Sequence, residues 1–111
     1  MSNPLTPIVS AESLSTSFVD VYTVPTDTKT VGIDSVVFNN YSTNSATYTV
    51  RLIRGGVTSE LSEIITEKNI RSKSNDLAPA MIGQALQTGG VIQVKASADN
   101  AINLNITATV I

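Results

Sequence analysis

From Ile102 to Val110 the chain alternates without a break. Ile102, Leu104, Ile106, Ala108 and Val110 are apolar or small, with Asn103, Asn105, Thr107 and Thr109 between them. A period of two puts the first set on one face of a strand and the second on the other. The stretch before it, about residues 91–97, does the same with Ile92, Val94 and Ala96. A polar turn separates the two, so they read as the closing strands of an antiparallel sheet.

The pattern recurs upstream. "SFVDVYTVP" (17–25) alternates and stops at Pro25, and "ATYTVRLIR" (46–54) places Tyr48, Val50 and Leu52 on one face. "VGIDSVVFNN" (31–40) carries apolar groups on both faces, Ile33 and Val37 on one, Val36 and Phe38 on the other. Two apolar faces predict a central strand, or one with a bulge near Asp34 or Ser35. "LSEIITEKNIRS" (61–72) fits helical or strand spacing, and its Ile-Ile-Thr run decides for a strand. Gly55-Gly56 predicts a tight turn. "SNDLAPAMIGQAL" reads as a long connection with one helical turn near Pro79.

Residues 1–16 break the pattern. Pro4 and Pro7 fix φ and remove donors, and Leu5, Ile8 and Val9 are apolar groups with no obvious intrachain partner. The reading is an extended N-terminal arm (1–16), mobile in the free protein, that adds a strand to a neighbour's sheet edge; the alternative is a first strand folded onto its own sandwich. Residues 17–111 form the domain. Its expected fold is all-β, an antiparallel, jelly-roll-like β-sandwich of seven to eight short strands. The expected core is Val36, Phe38, Tyr48, Val50, Leu52, Ile92, Val94, Ile102, Leu104, Ile106 and Val110.

Composition narrows the function. At 111 residues there is room for one core. A net charge of −2 with 14% charged residues gives no footprint for nucleic acid or an anionic membrane. Ser, Thr and Asn make up about a third of the chain while apolar residues reach 41%, which suits a sheet with one wet face. The absence of cysteine and histidine removes thiolate chemistry and the side chain that titrates near neutrality. No apolar run approaches the ~20 residues that span a bilayer, and "MSNPLTPIVS" lacks the basic-then-apolar order of a signal peptide. A soluble chain made in the cytoplasm is expected.

The candidate acids are five Asp and four Glu, placed in turns (Asp27, Asp76, Asp99) or along strands (Asp20, Asp34, Glu63, Glu67). Paired carboxylates act on glycosidic bonds only when they converge in a cleft, and these are dispersed. Glu60, Glu63 and Glu67 would share a helix face, but the stretch lacks the ladder of a calcium loop. "RGG" (54–56) reads as a hairpin turn, and "LQTGG" lacks the flanks of a phosphate loop. The sequons at Asn40 and Asn105 match chance expectation in so Ser-, Thr- and Asn-rich a chain. No catalytic residue, metal site or cofactor is predicted; the chemistry must lie in surfaces.

Two stretches, "VYTVPTDTKTVGIDSVVFNNYSTNSATYTVRLI" and Leu86-Gln87-Thr88-Gly89-Gly90-Val91-Ile92-Gln93-Val94-Lys95-Ala96-Ser97, resemble small β-sandwich structural proteins of tailed-phage particles. In that family a "Y-T-V-P" strand end precedes a short turn, and an acidic residue commonly stands where this chain has Gly90. The resemblance extends over residues 18–111. It implies a virion component without enzymatic activity, above all a capsid decoration (cement) protein clamping neighbouring subunits. Implied partners are the phage major capsid protein or other virion proteins and further copies of the chain, with a trimer expected. Neck, tail or fibre-base roles are the alternative within the virion, and a carbohydrate-binding β-sandwich is the alternative outside it.

Overall fold

A computed structural model of the chain describes residues 5–28, 30–54 and 63–110. Among them the chain forms nine antiparallel strands and no helix. The pairs are nested. Strand β1 (Leu5–Ser13) pairs β9 (Ile102–Val110), and β2 (Val19–Thr23) pairs β8 (Val91–Ala96). Further in, β3 (Thr30–Asn40) pairs β6 (Asn75–Asp76) and β7 (Ala85–Gln87), and innermost β4 (Ala46–Ile53) pairs β5 (Glu63–Ile70). Nesting of this kind is a two-stranded ribbon rolled on itself, a jelly roll. Rolling sets β9 beside β3 and β8 beside β4. The first sheet is therefore β1-β9-β3 with β6 and β7 on its far edge, and the second is β2-β8-β4-β5.

The core fills the space between the sheets, as alternation demands. Val36, Phe38, Tyr48, Val50, Leu52, Ile92, Val94, Ile102, Leu104 and Ile106 are all buried, and Val110 is half-buried against them. Phe38 of the first sheet stacks on Tyr48 of the second, with ring centroids 3.7 Å apart and planes 5° from parallel. Leu14, Val24, Met81 and Leu86 close the ends of the sandwich from loops and short strands.

The two apolar faces of β3 are explained by a bulge. Its pairing with β9 shifts between Ile33 and Ser35, so Asp34 is the extra residue. The extra residue resets the alternation: Val31, Ile33, Val36 and Phe38 all point inward, and Val37 is half-buried on the outside. Ile33 and Val37 thus lie on opposite faces, not on one as strict alternation would place them.

Three further expectations need correction or limits. The long connection after Ser74 contributes two short strands, β6 and β7, which raises the strand count to nine; between them Met81 and Ile82 donate to the carbonyls of Ala78 and Pro79 in successive turns. Residues 5–13 are not a partnerless arm but the edge strand β1, with Val9 opposite Ile106 and 6% exposed. Ile8 packs against the core from the same strand, and Leu5 alone stays outside, 63% exposed. Pro7 is accommodated because β1 is an edge, where a missing donor costs no ladder bond. The turn expected at Gly55-Gly56 falls outside the described residues.

Candidate interaction surfaces

Each described carboxylate with a hydrogen bond is occupied by its neighbours. Asp20 accepts from Gln93 Nε2 (2.8 Å), Asp34 from Thr109 Oγ1 (2.6 Å), Asp99 from the Thr16 amide (3.0 Å) and Glu67 from Thr49 Oγ1 (2.9 Å). Among the described residues no three metal-ligating side chains gather. Glu67 lies on a strand, not on the helix face considered for calcium, and Glu60 and the Glu63 side chain are outside the described set. Arg54 of "RGG" donates to Gln84 Oε1 (2.8 Å), tying the end of β4 to the start of β7. Asn40 of the first sequon is fully buried, and its amide donates to the carbonyls of Asn44 and Ile70.

The two outer faces of the sandwich differ in chemistry. That of the second sheet is charged and polar. Phe18 holds the Arg51 guanidinium over its ring at 3.7 Å and the Lys95 ammonium at 4.8 Å, a cation–π cluster that covers the strands β4 and β8. Beside it lies an open depression of about 290 Å³ lined by Thr16, Thr47, Thr49, Glu67, Lys95 and Ser97. Its donors and acceptors are hydroxyls, one carboxylate and one ammonium.

The outer face of the first sheet is almost uncharged. Register places Leu5 and Pro7 of β1, Asn103, Asn105, Thr107 and Thr109 of β9, and Gly32, Ser35 and Val37 of β3 on or near it, with Asp34 the one ionisable group among them. At its edge lies a groove of about 360 Å³ bounded by Val37, Leu77, Pro79 and Ile82. Leu77 is 63% and Ile82 42% exposed. The groove exists because the edge of the sheet is interrupted. Strand β7 pairs β3 only through Gly32 and β6 resumes at Phe38, so β3 from Asp34 to Val37 has neither strand alongside.

Sequence reasoning did not find this groove. The signal was the apolar content of "LAPAMI" inside a connection, but Ala78 and Met81 are buried while Leu77 and Ile82 are exposed, and no periodicity separates them. Comparison of the chain with protein-family models, with curated proteins and with solved structures finds no match. Among the described residues no helix is long and apolar enough to cross a membrane.

Proposed function

We propose that this chain is a non-enzymatic structural protein of a phage virion, a capsid decoration protein that binds neighbouring subunits of the head. The resemblance over residues 18–111 supports it, as does the jelly roll, an architecture used by viral capsid and lectin domains. A fold alone does not assign a function. The observation that carries the reading is the contrast between the faces: a nearly uncharged outer surface on the first sheet, ending in an exposed apolar groove at Leu77 and Ile82. Depletion of charge with retention of apolar anchors marks the centre of a protein–protein interface. The test is a reconstruction of particles carrying the protein. Copies spread over the head support decoration; a single ring at the neck or tail supports the alternative virion role.

A second reading has its own observation. The hydroxyl-lined depression on the second sheet offers donors and acceptors suited to a saccharide. Binding to a glycan array that is lost in Glu67→Ala would favour a carbohydrate-binding module instead.

A further inference from the structure

We propose a binding site for a neutral saccharide on the outer face of the first sheet, where Tyr41 meets the amides of Asn39, Asn75 and Asn103. Register sets Ser13, Asn103, Asn39 and Asn75 in one row across β1, β9, β3 and β6. Cross-strand partners share a face. The flanking Phe38, Ile102 and Leu104 are buried, so the row itself points outward. At about 4.8 Å per strand the three amides span about 10 Å. Among the described residues none of these three side chains has a hydrogen-bond partner, and none is sealed from solvent. Each therefore offers a ligand both a carbonyl and an NH2 group.

Tyr41 lies beside this row. Phe38 and Tyr48 stack in the core, and Phe18 is covered by Arg51 and Lys95. Tyr22 is half-buried, which leaves Tyr41 as the exposed aromatic side chain, at 37%. Three bonds hold it in place. Its amide donates to the Ala101 carbonyl (3.0 Å), its carbonyl accepts from Lys73 Nζ (2.7 Å), and its hydroxyl pairs with Ser13 Oγ (3.2 Å). The side chain thus reaches from the end of β3 across the start of β9 to β1. A ring fixed beforehand loses little freedom on binding. An apolar ring face beside amides that donate and accept matches a sugar, which has C–H faces and hydroxyls that do both. None of the four residues in the row ionises, and the Lys73 ammonium is engaged by the Tyr41 carbonyl, so the matching ligand is uncharged. This site rests neither on the virion reading nor on the Glu67 depression, which lies on the other sheet.

The experiment is an array of neutral and acidic oligosaccharides probed with the full chain and with Tyr41→Ala, Tyr41→Phe, Asn103→Ala and Glu67→Ala. Wild type should bind neutral glycans. Tyr41→Ala and Asn103→Ala should bind about tenfold more weakly, with circular dichroism melts showing that each is folded. Tyr41→Phe keeps the ring and should bind nearly as wild type does, and so should Glu67→Ala on the second sheet. In a nuclear magnetic resonance titration with the neutral glycan bound best on the array, the side-chain amide signals of Asn39, Asn75 and Asn103 should shift. Asn75→Ala, at an exposed position, replaces Tyr41→Ala if that variant does not fold. Failure to bind any neutral glycan, or binding that survives both the tyrosine and the asparagine truncations, would overturn the inference. Binding lost in Glu67→Ala alone would overturn it too, and would put the saccharide in the second-sheet depression instead.

Discussion

The phenol of Tyr48, on the second sheet, donates a 2.5 Å hydrogen bond to the carboxylate of Asp76, on the edge of the first. The same carboxylate accepts from the Ala78 amide (3.0 Å) and forms an ion pair with Lys68 of β5 (2.9 Å). Edge strands β5 and β6 are thus clasped across the open side of the sandwich, directly beneath the Phe38–Tyr48 stack.

The clasp makes stability depend on pH at both extremes. Burial pushes the Tyr48 phenol well above its ordinary value of 10.0, and the Asp76 carboxylate adds to the effect. A raised value means that its contribution is complete below pH 10 and is lost as pH rises through the folded-state value. For Asp76 burial acts upward, but hydrogen bonds from Tyr48, Lys68 and Ala78 and the Lys68 charge outweigh it and hold the carboxyl below 3.8. Its contribution is complete above 3.8 and is lost as pH falls through the lower folded value. Tyr48→Phe should cost about 1–3 kcal/mol at neutral pH, as for a hydrogen bond to a charged group. It should also flatten the alkaline loss. Urea unfolding of both proteins across the pH range checks this, and equal stabilities would refute the clasp.

The register of β9 predicts a sharp contrast between neighbours. Ile106 is 1% exposed and faces Val9 and Val36 across its two flanking strands, whereas Asn105 is exposed. Burying an isoleucine is worth roughly 1.5–3 kcal/mol, and an aspartate in its place would bury an unpaired charge as well. Ile106→Asp should not fold. Asn105 uses Oδ1 to accept from the Ala11 amide at 2.9 Å, and an aspartate oxygen can do the same, so Asn105→Asp should melt within a degree or two of wild type. Circular dichroism melts separate the two, and similar melting temperatures would mean that the register is wrong.

What could be read beforehand follows from how local each signal is. Strict alternation in β9, β8 and β4 is a property of consecutive residues, so their faces were legible. The bulge at Asp34 was legible as a conflict of faces, although its consequence for Val37 needed the pairing with β9. Strand β1 was legible only as the lesser alternative to a free arm, because its partner lies about a hundred positions away and prolines mask a strand whose edge position tolerates them. Strands β6 and β7, of two and three residues, are too short to show any period. The groove was hidden for a related reason: it arises where two strands fail to meet along β3.

Gly90 has a steric reason to be glycine. A Cβ at this position would lie 2.8 Å from the Arg54 carbonyl oxygen and 2.9 Å from those of Gln87 and Ile53. These are backbone atoms of the adjoining turn and strand end, so neither can swing away. Gly90 also donates to the Gln87 carbonyl and receives the Val24 amide at 2.8 Å each. Gly90→Ala should destabilise by about 1–3 kcal/mol, as for overpacking. Gly32, with nothing within 4 Å of its would-be Cβ, is the control: Gly32→Ala should be neutral or raise stability by up to about 1 kcal/mol. Equal effects in denaturant unfolding would remove the steric argument.

Deletion of residues 2–11 tests the edge strand directly. As a partnerless arm the segment could be removed without loss of stability. As β1 it covers one flank of β9 and inserts Val9 into the core opposite Ile106, with Ile8 packed beside it. Truncation would strip the ladder from that side of β9 and open the core at Ile106, while Glu12, Ser13 and Leu14 would remain to hold only its far end. Loss of Val9 alone should cost roughly 1.5–3 kcal/mol, and the lost ladder bonds add about 1 kcal/mol each. For a domain with a net stability of about 5–15 kcal/mol, the truncated protein should melt many degrees lower, with Ile106 and Leu104 amides losing hydrogen-exchange protection. An unchanged melting temperature would return the segment to the status of an arm and remove β1 from the sandwich.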